Sequence, residues 1–259
     1  MKKLLFILIL VGGLKFSNAQ INTFQWALQI GDSTDDINTS VAVDGFGNVY
    51  TTGFFTNSPD FDTGIGVFNM YSFGGTDVFI TKFDVAGNFI WAKQVGGNNS
   101  DYPLSIKVDL AGNVYTSGFF TGVADFDPGI GTYTLVGSSN TAFVLKLDPS
   151  GNFIFAKGFG GTSGASIAYG MDLDASNNIY LTGRFTGTCD FDPGVSVVNM
   201  TSSIGFNDAF ILKLAPAGSY VWAKQISGSG SNTGNSVAVD NVGNVFSTGF
   251  LNNTADFDS

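Results

Sequence analysis

The sequence has no histidine and no glutamate, one cysteine (Cys189), one arginine (Arg184) and six prolines. Without histidine, the commonest general base and the commonest transition-metal ligand are both missing. Ser-His-Asp and Cys-His chemistry and His-ligated zinc are therefore excluded within this chain. A single thiol excludes an internal disulfide framework. All 21 acidic residues are aspartate. Glutamate favours helices while aspartate favours turns and caps, so helix is expected to be nearly absent. Long apolar runs are missing as well: LLFILILVGGL at 4–14 is the longest, and it is too short to anchor in a bilayer.

That run has a different use. Lys2 and Lys3 precede it and Ser17, Asn18 and Ala19 follow it, the layout of a secretory signal peptide over 1–19. The expected mature chain begins at Gln20 and is soluble, secreted or held at the cell surface. Losing Lys2, Lys3 and Lys15 takes the formal net charge from −10 to −13. Such a chain is a poor partner for nucleic acid or anionic membrane, and no membrane insertion is expected.

What the chain has in abundance is itself. GNVYTTGFF (47–55) returns as GNVYTSGFF (112–120), NNIYLTGRF (177–185) and GNVFSTGF (243–250), at intervals of 65, 65 and 66 residues. A second block recurs as VFITKFDVAGNFIWAKQ (78–94), FVLKLDPSGNFIFAKG (143–158) and FILKLAPAGSYVWAKQ (210–225). Between them stand DFDTGIG (60–66), DFDPGIG (125–131) and DFDPGVS (190–196), with DFDS at 256–259. Period-2 alternation reads as four strands per unit: a (VAVD type), b (VYTTGFF type), c (VFITKFD type) and d (NFIWAKQ type). Asp-x-x-Gly-Asn joins a to b and c to d, which is tight-hairpin chemistry. Glycine inside strand b marks a close approach by other backbone, expected from neighbouring sheets. The rings Trp26, Trp91, Phe155 and Trp222 on strand d are expected between sheets.

A unit of this length suits a four-stranded sheet with one long loop, and radial repetition of such sheets makes an all-β propeller of antiparallel blades. The expected layout is a lone closing d strand at 21–32, full blades at about 40–97, 105–161 and 170–228, and a partial blade at 236–259, an incomplete ring within 20–259. Further repeats or domains beyond Ser259 are expected. The succession of GNVYxTGFF, DFDPG and FVxKxDxxGNFIWAKQ resembles the seven-bladed β-propeller repeat (SBBP) family, in the form found in secreted proteins of the Bacteroidetes group. The resemblance spans nearly all of 20–259 and implies a fold without implying an activity.

The best candidate for a site is the DFD loop. Asp60 and Asp62, Asp125 and Asp127, and Asp190 and Asp192 each place two carboxylates at i and i+2 beside a Gly-rich turn. Hard oxygen ligands suit Ca²⁺, but two carboxylates are few for that ion, and Asp before Pro-Gly is ordinary turn material. Lys82, Lys146 and Lys213 on c, with Lys93, Lys157 and Lys224 on d, recur in phase and read as exposed scaffold positions. Arg184 breaks phase where Phe54 and Phe119 stand. Asp32, Asp35 and Asp36 read as a solvated loop, and Cys189 as a small buried residue. The pattern points to a non-enzymatic scaffold, adhesin or module for a protein or carbohydrate ligand. The alternative is the propeller of a secreted carbohydrate-active enzyme whose catalytic part lies outside this chain.

Overall fold

The computed structural model describes residues 24–161 and 163–257; the leader assigned at 1–19 and Asp258 lie outside them. Every regular element among the described residues is a β-strand. The first blade is β1 (Ile37–Val43), β2 (Val49–Phe55), β3 (Asp77–Phe83) and β4 (Phe89–Gly97), paired antiparallel in that order. The second is β5 (Tyr102–Val108), β6 (Val114–Asp125), β7 (Thr134–Leu147) and β8 (Phe153–Phe159). The third starts with β9 (Ala165–Leu173) and β10 (Ile179–Thr186), inserts a ribbon of β11 (Thr188–Asp190) and β12 (Asn199–Thr201), and ends with β13 (Asp208–Leu214) and β14 (Tyr220–Gly228). The hairpin β15 (Thr233–Val239) and β16 (Val245–Phe250) begins a fourth, followed by β17 (Ala255–Asp256). These are propeller repeats, and no closed ring forms among the described residues.

The repeated turn is built as its residues dictate. Asp109 accepts at Oδ1 from the Ala111 and Asn113 backbones (3.0 and 2.9 Å) and at Oδ2 from the Asn113 amide (2.8 Å) and the Tyr115 hydroxyl (3.1 Å). Gly112 closes the turn at φ +85°, and where the third copy has Asn177 that residue takes φ +62° itself. Burial, with Asp109 beside it, pushes the Tyr115 phenol well above its ordinary range.

Two expectations about the strands change. The strand-b glycine is pressed by strand a of its own blade, not by a neighbouring sheet: a Cβ on Gly118 would collide with the Tyr102 carbonyl oxygen, and one on Gly53 with that of Ile37. Strand a carries an irregularity there, between Pro103 and Ser105 and between Asn38 and Ser40, which throws its backbone toward the glycine. The strand-c lysines are likewise not free surface positions. Strand c lies inside the blade, and Lys82, Lys146 and Lys213 hold their ammonium groups 5.0, 4.8 and 4.9 Å from the ring centres of Tyr50, Tyr115 and Tyr180.

Strand d supplies rings between sheets as expected. Trp91 packs edge-on to Tyr50 at 6.1 Å and donates from Nε1 to the Pro149 carbonyl of the second blade (3.2 Å). Trp26 repeats that bond one blade earlier, to Val85 (3.1 Å). Residues 24–32 nonetheless carry no strand, because no strand c lies beside them among the described residues. Trp26 holds the d position; its backbone lacks a ladder to join.

Blades meet in two layers. Inside, strands a are neighbours, with Ile106 of β5 donating to Ser40 Oγ of β1 (3.2 Å) and Val239 of β15 to Asp172 Oδ2 of β9 (2.9 Å). Outside, the glycine-rich end of each strand d pairs with the next blade's DFD segment: Gly96 and Gly97 with Asp125 and Ala124, Gly160 with Asp190, and Ser227 and Gly228 with Asp256 and Ala255. The middle phenylalanines Phe61, Phe126 and Phe191 are buried in their own blades.

Candidate functional site

The three complete DFD loops are alike. Asp60 Oδ1 accepts from the backbones of Asp62 (3.0 Å) and Phe68 (2.8 Å), Asp125 Oδ1 from Asp127 and Tyr133, and Asp190 Oδ1 from Asp192 and Val198. Asp62, Asp127 and Asp192 each give Oδ1 to the glycine two residues on (2.8, 2.8 and 2.7 Å). Every pair thus spends one oxygen per carboxylate on backbone donors. No three metal-binding side chains gather among the described residues. Calcium takes roughly six to eight oxygens, and two half-used carboxylates fit an ordering role for the loop better than an ion cage.

Around these loops the surface opens into repeated clefts. One of about 360 Å³ lies between Tyr133, Leu135, Ala156 and Lys157 of the second blade and Pro193 of the third. Its counterpart of about 310 Å³ lies between Phe68, Ala92 and Lys93 of the first blade and Pro128 of the second. Each therefore has an alanine and a lysine from strand d on one side and the proline of the next DFD loop on the other.

A few polar groups break the period; the sequence reading singled out Arg184 and missed the rest. At one position of strand a, opposite the aromatic residue of strand b, the four copies carry Ala42, Lys107, Asp172 and Ala238. Lys107 and Asp172 pair at 3.0 Å between the second and third blades. Since Asp172 also accepts from Val239, it ties three blades together. The only sequence signal was opposite charge at corresponding positions of adjacent copies. Arg184 stands over the Tyr169 ring at 5.8 Å, whereas its counterparts Phe54 and Phe119 pack on Tyr102 (4.8 and 5.0 Å).

Buried polar residues also line each blade joint, where strand c of one blade and strand a of the next begin. The occupants are Asp77 with Asp101, Thr141 with Ser166, and Asp208 with Asn232, all nearly inaccessible. Asp36 is the strand-a counterpart before the first blade. It is no solvated loop residue: its Oδ2 accepts from the Asp32 backbone (2.8 Å), and burial raises its carboxyl above the ordinary range. Cys189 is buried as expected, and burial pushes its thiol up to about 11.

Three segments, 25–53, 90–118 and 221–249, match the family described as a beta-propeller repeat (SBBP). Each runs from strand d of one blade, or its equivalent, into strand b of the next. An uncharacterized WD repeat-containing protein of Acanthamoeba polyphaga mimivirus is 27% identical over 191 residues, 62% of this chain and 13% of that protein. The chain thus corresponds to about an eighth of that relative's length. Among the described residues no helix is long and apolar enough to cross a membrane.

Proposed function

We propose that this chain is a non-enzymatic propeller scaffold, secreted or displayed at the cell surface, that holds a protein or carbohydrate ligand across successive inter-blade clefts. The observation that carries this reading is the phase of the chemistry. The accessible lysines Lys93 and Lys157 recur in corresponding clefts, each facing a proline of the next blade. Asp172, which breaks phase, is paired across blades with Lys107, and Asp77 and Asp101 are closed off from solvent. A repeated surface suits a ligand gripped at several points, whose affinity multiplies along the row. The sequence features of a secretory leader support an extracellular setting. The alternative is the propeller part of a secreted carbohydrate-active enzyme whose catalytic part lies outside this chain.

Titrating the mature chain with a panel of soluble oligosaccharides and purified extracellular-matrix proteins tests the proposal. For the ligand that binds, Lys93→Glu and Lys157→Glu should each weaken affinity several-fold, and the double variant should lose roughly the product of the two. Release of reducing sugar by a longer chain carrying a further domain, and not by residues 20–259 alone, would establish the enzyme reading instead. Binding unaffected by both lysine variants would place the ligand away from the clefts.

A further inference from the structure

The joint between the first two blades holds two acids where the other joints hold at most one. Asp77 opens β3 and Asp101 immediately precedes β5, and they are 0% and 1% exposed. Both close on Gly96 of β4: a Cβ placed there would lie 2.5 Å from Asp77 Oδ1 and 2.9 Å from Asp101 Oδ2. The groups facing them are neutral donors. From the segment before β3 comes the Phe73 backbone N–H (2.7 Å to Asp77 Oδ2), and from β4 the Gln94 amide (2.6 Å to the same oxygen) and the Gly97 N–H (2.8 Å to Asp101 Oδ2). The Thr121 N–H of β6 reaches Asp101 Oδ1 at 3.3 Å. Among the described residues no lysine or arginine pairs with either carboxylate. Asp77 Oδ1 is buried without a hydrogen-bond partner.

Two carboxylates so placed cannot both be ionised without a large cost, and an unpartnered buried oxygen adds to it. A proton on one of them removes the repulsion between two buried like charges. We propose that one of Asp77 and Asp101 keeps its proton in the folded chain, and that this neutral acid latches the first blade to the second. Loss of that proton leaves two like charges beside Gly96 and Gly97, the residues through which β4 pairs with β6. The latch should therefore hold in mild acid and slacken above neutrality.

The titration is in keeping with this geometry. Burial, with Asp77 beside it, holds the Asp101 carboxyl up to about 7, and burial raises Asp77 as well. For an acid whose folded value lies above its unfolded value, the folded state binds the proton more tightly. The associated stability is full below the unfolded value of 3.8 and is lost as pH rises through about 7. The repeat supplies its own controls: Asn232 stands at the Asp101 position facing Asp208, and Thr141 with Ser166 fill both positions in the middle joint.

The experiment is thermal unfolding of the mature chain from pH 5 to pH 8.5, beside Asp101→Asn. Wild type should lose several degrees of Tm more than the variant over that interval. Asp36, raised in both proteins, contributes a slope common to them, so the difference is the readout. Carbon-13 NMR of the aspartate carboxyls in wild type should find a group titrating near 7. Amide exchange at Gly97 and Thr121, corrected for intrinsic rates, should accelerate over the same range. Parallel Tm profiles, with the Asp77 and Asp101 carboxyls titrating below pH 5, would overturn the proposal. Should Asp101→Asn fail to fold, the double variant Asp77→Thr with Asp101→Ser copies the middle joint, and the wild-type NMR titration decides by itself.

Discussion

The first joint and the middle joint occupy the same address and solve it differently. In the first, Asp77 and Asp101 crowd Gly96, whose φ of +154° favours glycine. In the middle joint, Ser166 Oγ accepts from the Ala142 backbone (3.0 Å) and donates to the Phe159 carbonyl, while Thr141 donates to the Ser139 carbonyl (3.1 Å). A hydroxyl can do both jobs; an ionised carboxylate can only accept. The backbone is held in phase by turns and strand pairing, so chemical individuality collects where side chains meet between blades. A repeat protein of this kind is regular in its framework and particular at its joints.

Substitution at the two joint glycines should separate them most. A Cβ on Gly96 meets a carboxylate oxygen at 2.5 Å in a backbone conformation that side chains rarely adopt, whereas one on Gly160 meets Thr141 Cγ2 at 3.3 Å and Ser166 Oγ at 3.4 Å. Gly96→Ala should cost about 2 kcal/mol or more, roughly 4–8 °C in Tm. Gly160→Ala should cost under about 1 kcal/mol, as chemical denaturation can verify. Equal losses would mean that the two joints are sterically alike.

A smaller effect is expected from moving the acid pair. Asn232→Asp places a second carboxyl near Asp208, whose Oδ1 is buried without a partner. The variant should match wild type near pH 5 and fall about 1–2 kcal/mol below it by pH 8.5, since a raised acid loses its contribution as pH climbs. A pH-independent difference would show that the third joint admits water. The smallest effect concerns the DFD loops, alike at every joint: Tm in millimolar calcium and in chelator should agree within error. A rise of several degrees with calcium, lost in Asp125→Asn, would assign these carboxylates to the ion.

How far the sequence could carry a reader follows from distance along the chain. The Asp-x-x-Gly-Asn hairpins and the DFD loop were legible because their partners lie within ten residues, as Asp109 and Asn113 do, and strand order because each repeat writes the same four strands again. The strand-c lysines were misread because alternation shows which face a residue takes, not that Tyr50 waits beneath Lys82. The glycine of strand b was rightly taken as a close approach, but the irregularity in strand a that causes it has no fixed residue type: Asn38, Pro103 and Gly234 all stand there. The Asp77–Asp101 pair was hidden twice over. Its members sit in different blocks, and no other joint repeats both: Thr141 with Ser166 and Asp208 with Asn232 stand there instead, so comparing copies dissolved the pattern. The clefts needed two blades side by side before Lys157 and Pro193 could share one.

The short clasp between each strand d and the next DFD segment has a mechanical meaning. Within a blade, tension along the chain is carried by ladders of six or more residue pairs, such as β2 with β3. Between blades, the outer connection is two pairs at Gly96–Gly97 and one bridge at Gly160. The clasps are the weak links in series. A chain pulled from its ends would part at the joints first and yield whole blades in succession, as a row of buttons opens while the cloth between them stays intact.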